Sequence, residues 1–206
     1  MDYQHFREAF FNQISFTSNQ VQAWYRGFDK NNLGRWVKKG YIIKLRNGHY
    51  TFKEYLNTQN IQLHLANRIY RPSYISLHTA LAFYGLIPES ITQTTSISTL
   101  KTAQFNNPVG VFSYKNMKEQ LFFGYEQLPF LDKRSIQMAT PEKSLIDLLY
   151  LYPFYNNQNE IKELRLDEDI LDETFNVERF LSYLDQTKST ALEKRAKLLL
   201  RVYNIH

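Results

Sequence analysis

Eight polar side chains between residues 31 and 49 have the types and spacing to read a nucleic acid: Asn31, Asn32, Arg35, Lys38, Lys39, Lys44, Arg46 and His49. Arginine bridges two acceptors of guanine, asparagine bridges adenine, and lysine neutralises phosphate. At about 100° per residue, Leu33, Trp36 and Val37 fall on one face of a helix. Asn31, Arg35 and Lys38 fall on the opposite face, flanked by Asn32 and Lys39. The chemistry implied is hydrogen bonding to base edges and charge neutralisation, with no bond made or broken.

Positioning those groups takes a short helix and a hairpin. Asp29 is the expected N-cap and Gly40 the residue just past the C-terminus. Gly34, inside the helix, costs about 1 kcal/mol against alanine, which predicts close backbone packing there. Asn47-Gly48 then signals a two-residue type I′ hairpin turn. A regular register pairs Arg46 with His49, Leu45 with Tyr50, Lys44 with Thr51 and Ile43 with Phe52. Alternation sends Ile43, Leu45, Tyr50 and Phe52 to the core face, and Lys44, Arg46 and His49 outward at a basic tip. Upstream, Thr17 and Gln20 form a capping box with Phe16 and Val21 as its hydrophobic staple, predicting a helix from Ser18 to about Tyr25. Another amphipathic helix precedes it, from Tyr3 to Gln13. Helix, helix, short turn, basic helix and hairpin is the order of a winged helix-turn-helix.

No comparable constellation for catalysis is present. The chain lacks a phosphate loop, a dinucleotide glycine motif, a metalloprotease helix and a nucleophile elbow, and it has no cysteine. His64 has no partner at metal spacing, and His78 reads as a packed or surface side chain. Glu142, Lys143 and Asp147 read as a helix cap and surface pairing, and the acidic run of residues 159–175 as a solvated face. The expectation is a protein without enzymatic activity, metal or cofactor.

Charge separates the chain into two parts. Of its 206 residues, 25 are basic and 20 acidic. Residues 1–53 hold nine of the basic ones and only Asp2, Glu8 and Asp29 of the acidic ones. The remainder is close to neutral, so polyanion binding belongs to the first quarter. The polar stretch of residues 53–60 sets the boundary between a winged helix over 1–55 and a second domain over 56–206. The N-terminal MDYQHFREAFF has no apolar signal core and no apolar run approaches a membrane span, which predicts a cytoplasmic protein without membrane contact.

The expected class is α+β. After the winged helix come helices at residues 61–69 and 77–85, the latter capped by Ser76. Strands follow at 92–101, 109–114, 120–127 and 135–139, forming a small, mainly antiparallel sheet. Thr140-Pro141-Glu142 opens a largely buried helix. A helical tail, with helices near 177–186 and 190–203, completes the second domain.

YISLHTALAFYGLIPES (residues 74–90) and MATPEKSLIDLLYL (residues 138–151), behind a winged helix carrying VKKGYIIKLRNGHYTF, resemble the AbiEi family of antitoxins. The resemblance spans about Phe16 to Leu151. It implies a bacterial type IV antitoxin of an abortive-infection, phage-defence system, encoded with an AbiEii-type nucleotidyltransferase toxin. Such a protein represses its own promoter through the winged helix, on double-stranded DNA with inverted repeats. It counters the toxin through its second domain, with no stable complex between the two. The alternative is a stand-alone winged-helix regulator whose second domain senses a ligand or dimerises.

Overall fold

A computed structural model describes residues 2–89 and 91–205, so Ser90 at the end of the first resemblance motif lies outside the described residues. The chain is α+β, with ten helices and two separate sheets among those residues.

Helices α1 (Tyr3–Phe10), α2 (Ser18–Trp24) and α3 (Asn31–Lys38) pack with a three-stranded antiparallel sheet of β1 (Ser15–Thr17), β2 (Ile42–Arg46) and β3 (His49–Phe52), in the order β1-β3-β2. The local chemistry is as the residues dictate. Thr17 Oγ1 accepts from the Gln20 amide at 3.2 Å while Gln20 Oε1 accepts from the Thr17 amide at 2.7 Å, closing the capping box. Phe16 and Val21 are buried in one cluster with Phe6, Phe10, Leu33 and Trp36. Gly40, at φ +70°, ends α3 with the Tyr41 amide donating to Trp36 O and its own amide to Val37 O.

The hairpin departs from the regular register. Arg46 pairs with His49 as expected, but Lys44 pairs with Tyr50, Ile43 with Thr51 and Ile42 with Phe52, because the ladder is bulged at Leu45. The bulge gives the wing two apolar faces. Ile42 and Phe52 enter the winged-helix core, with Tyr50 packed against it, while Leu45 and Ile43 join a second cluster shared with the rest of the chain. The Leu45 carbonyl accepts from Asn107 Nδ2 at 3.0 Å.

The second sheet has six strands in the order β6-β7-β5-β4-β9-β8. They are β4 (Ser73–Ile75), β5 (Gln93–Ser98), β6 (Ala103–Asn107), β7 (Gly110–Asn116), β8 (Tyr125–Phe130) and β9 (Arg134–Ala139). The pairs β4–β9 and β5–β7 run parallel and the other three antiparallel. Two strands occupy stretches expected to be irregular. β4 lies between the helices expected at 61–69 and 77–85, and β6 between the strands expected at 92–101 and 109–114.

Helices sandwich this sheet. On one face, α4 (Ile61–Ile69) packs on Ile75, Phe112, Ile136 and Met138, and the same cluster takes in Ile14 and Leu45 of the winged helix. On the other, α5 (Leu77–Phe83), α6 (Pro141–Leu151), α7 (Gln158–Lys162), α8 (Glu168–Thr174), α9 (Val177–Thr187) and α10 (Thr190–Val202) gather around Tyr74, Ile97 and Ala139. The tail is therefore part of this core: Phe180, Leu184, Leu192 and Leu199 are buried in it. Tyr74 and Ile75 face opposite clusters, so β4 is covered on both sides.

Candidate nucleic-acid interface

The helix α3 buries Leu33 and Trp36 and half-buries Val37, which leaves Asn31, Gly34, Arg35 and Lys38 as one exposed stripe at helical spacing. Lys39 is exposed just beyond it and Asn32 is half-buried beside it. The stripe is internally hydrogen-bonded. Asp29 Oδ1 accepts from the Asn31 amide at 2.9 Å, but the N-cap position itself falls on Lys30, one residue later than expected. Arg35 Nη2 donates to Asn32 Oδ1 at 2.6 Å and to Asp29 Oδ2 at 3.2 Å. These bonds hold the guanidinium in one orientation, and the Arg35–Asp29 pair stays open to water. Beyond the backbone of its own helix, no atom lies within 4 Å of where a Gly34 side chain would start, so this glycine serves no internal packing, contrary to expectation.

The wing residues divide. Lys44 is exposed, as a phosphate contact requires. Arg46 is not free at the tip. Its Nη1 donates to Ile69 O at 2.9 Å and its guanidinium lies over the rings of Tyr70 and Phe105 at 5.6 and 4.9 Å. The bulge turns it toward the second sheet, so it docks the wing as well as carrying charge. His49 is half-buried, and burial, then Arg46 and Arg68, holds its imidazole below the ordinary range. Sequence reasoning passed over Arg26 and Lys30, exposed in the turn before α3, although both fall in the basic first quarter.

A second polar group contradicts the expectation of surface pairing. Glu142, Lys143 and Asp147 are 0%, 1% and 1% exposed. Lys143 Nζ donates to Asp147 Oδ1 and, at 2.9 Å, to the Tyr74 hydroxyl. Tyr74 and Ser76 both donate to Asp147 Oδ2, at 2.9 and 2.8 Å. Glu142 Oε1 accepts from the Asn176 amide at 2.8 Å and so ties α6 to the start of α9. These groups are buried because α6 is covered on every side, by α5, α9, α10 and the sheet. The Ser76 hydroxyl, expected to cap α5, is used on Asp147 instead, and Leu77 follows at φ +58° with its side chain buried. Ser76 stands at a strand-to-helix turn, but it is 0% exposed and has no histidine base bonded to it. The cluster joins β4 to α6. The signal that could have found it is the apolar character of α6 around most of its circumference, which forces an i,i+4 pair indoors.

Among the described residues, no three His, Asp or Glu side chains stand together as a metal site, and no helix is long and apolar enough to cross a membrane. The acidic run of residues 159–175 forms no ion pair with the basic side chains of α10: Lys197 pairs with Glu193 of its own helix, and Arg195 donates to Leu149 O at 3.0 Å. Neither a model of any known protein family nor any curated protein matches the chain.

Proposed function

We propose that this protein is a winged-helix DNA-binding autorepressor that also serves as an AbiEi-like antitoxin, in the cytoplasm of a bacterium. One observation carries the DNA half. The stripe Asn31, Gly34, Arg35 and Lys38 is exposed along the whole of α3, while the opposite face of that helix is anchored in the core. Side chains held this way suit insertion into a major groove, with Lys44 on flanking phosphate. The antitoxin half rests on the resemblance of residues 74–90 and 138–151. A gel-shift titration on the DNA upstream of its own gene tests the first half, with binding to inverted repeats expected. Co-expression with a neighbouring nucleotidyltransferase tests the second, and growth arrest without relief removes it.

A second reading, a stand-alone regulator with a ligand-sensing second domain, is favoured by the recesses where the wing meets the second sheet. An orphan gene with intact promoter binding would select it.

A further inference from the structure

The C-terminal end of α4 carries the cations that the charge split conceals. Arg68 and Arg71 are shared by three adjoining recesses between the two sheets. The largest, about 290 Å³, adds Lys133 and Arg134 over a floor that includes His64 and Asn67. A second, about 260 Å³, adds Arg46 and His49 of the wing with Tyr70 beside them. The third, about 160 Å³, reaches Thr17 and Gln20 at the start of α2. No aspartate or glutamate lines any of them. Among the described residues, Arg46, Arg68, Arg71, Lys133 and Arg134 take part in no ion pair.

Such crowding is unfavourable without an anion. Arg68 is held below its ordinary range by burial and then by the charges of Arg71 and Arg134. A cation in the last turn of a helix is favoured by the helix dipole, which accounts for Arg68 but not for Arg71, Lys133 or Arg134. His64, 3% exposed in the floor, faces Ser135 O through Nδ1 at 3.3 Å and leaves Nε2 with no protein partner. Concave cation clusters with low-dielectric walls concentrate anions.

We propose that this cleft binds a small ligand carrying two or more linked phosphates, with pyrophosphate and a nucleoside diphosphate as its simplest representatives. The charges decide the class. Arg46 lies on one side of the shared arginines and Lys133 and Arg134 on the other, so linked phosphates meet both groups where a single phosphate meets one. Half-buried Arg68 suits a ligand that enters the recess, whereas a duplex backbone reaches only exposed rim groups such as Arg71. Arg46 and His49 belong to the wing, so an occupant would tie the wing to α4. The inference does not depend on DNA reading, and the failure of either leaves the other standing.

Calorimetric titration of the full chain with pyrophosphate, ADP and orthophosphate, at ionic strength matched with sodium chloride, tests it. Saturable binding of pyrophosphate or ADP, tighter than orthophosphate, is expected. ADP binding more tightly than pyrophosphate identifies a nucleotide, and equal binding identifies the phosphates alone. Arg71→Gln and Arg68→Gln should each weaken binding about tenfold or more, since a charge-assisted hydrogen bond is lost. Lys162→Gln, an equal charge change at an exposed site on α7, should leave it unchanged, and circular dichroism confirms that each variant is folded. No saturable heat with the wild type, or equal binding by Arg71→Gln and wild type, overturns the proposal. Loss of duplex DNA binding in Arg71→Gln, with no phosphate ligand bound by the wild type, overturns it in favour of a backbone contact.

Discussion

Helices α3 and α6 carry the same kinds of side chain in opposite settings. On α3, Arg35 pairs with Asp29 at 63% and 51% side-chain exposure. On α6, Lys143 pairs with Asp147 at 1% and 1%. An exposed pair contributes about 0–1 kcal/mol, so Arg35 can exchange Asp29 and Asn32 for a new acceptor at little cost. A buried pair has already lost its water and cannot be exchanged, and breaking it strands a charge. Exposure, rather than residue type, separates a group that recognises something else from one that holds the fold in register.

The largest expected effect tests the concealed member of this comparison. Lys143→Ala should cost about 3–5 kcal/mol in urea denaturation, because Asp147 is left charged or forced to take a proton in the interior. The paired change Lys143→Met with Asp147→Leu should recover only part of that loss: the apolar groups need no partner, but the buried Tyr74 and Ser76 hydroxyls lose theirs. If the single variant loses under 1 kcal/mol, the pair is not closed to solvent and the contrast with α3 collapses.

His64 supplies a concealed group with no charged partner. Burial lowers its pKa from 6.5 to about 4, with smaller contributions from Arg68 and Arg134, while the bond to Ser135 O opposes the shift. The unfolded chain therefore takes up this proton first as the pH falls. The stability His64 contributes is complete above about pH 6.5 and is lost progressively as the pH falls toward 4. Between pH 7.5 and 5 the loss should be about 2 kcal/mol. Denaturation curves at the two pH values measure it, and His64→Gln should flatten the difference. An equal pH dependence in both proteins would assign the titration to another group.

These two regions also differ in how far they could be read from the residues alone. The winged helix is built from local signals. Thr17 and Gln20 are three residues apart, Asn47 and Gly48 are adjacent, and Gly40 lies two residues past the last residue of the helix it ends, so each signal lies within one turn of chain. The buried cluster is built from Tyr74, Ser76, Lys143 and Asp147, drawn from segments about seventy residues apart. No periodicity connects them until β4 and α6 are packed. The same distance effect hid β4, whose three residues carry no alternation because both faces are covered. It also hid the cleft, since Arg68, Arg71, Lys133 and Arg134 sit in a stretch that is neutral on average. The bulge at Leu45 fell in between: the turn was legible, but the register depended on what lay across the wing.

The exposed member of the comparison has its own test. Arg35→Ala should change folding stability by less than about 0.5 kcal/mol, because the lost pair is solvated. On the proposed DNA function, the same change should weaken binding to the cognate upstream sequence by about 1–3 kcal/mol and relax discrimination at one base pair. Competition gel shifts against point-mutated operator measure both. Loss of stability comparable to that of Lys143→Ala would place Arg35 with the structural groups and remove it from the reading face.

Gly34 gives the smallest and most diagnostic effect. It sits between Asn31 and Lys38 on the exposed stripe, and nothing in the protein lies where its side chain would be. In the free protein, alanine there meets no obstacle and removes the entropy cost of glycine, so Gly34→Ala should stabilise the fold by up to about 1 kcal/mol. A glycine that destabilises its own helix without internal packing is accounted for if something outside approaches the backbone at that point. On the proposed DNA function, Gly34→Ala should therefore be a more stable protein with weaker DNA binding, the two effects opposite in sign. Thermal denaturation and a gel-shift titration of the same preparation separate them. Greater stability with unchanged affinity would mean that the DNA lies against other residues of the stripe, and lower stability would mean that α3 packs more closely than its open surface indicates.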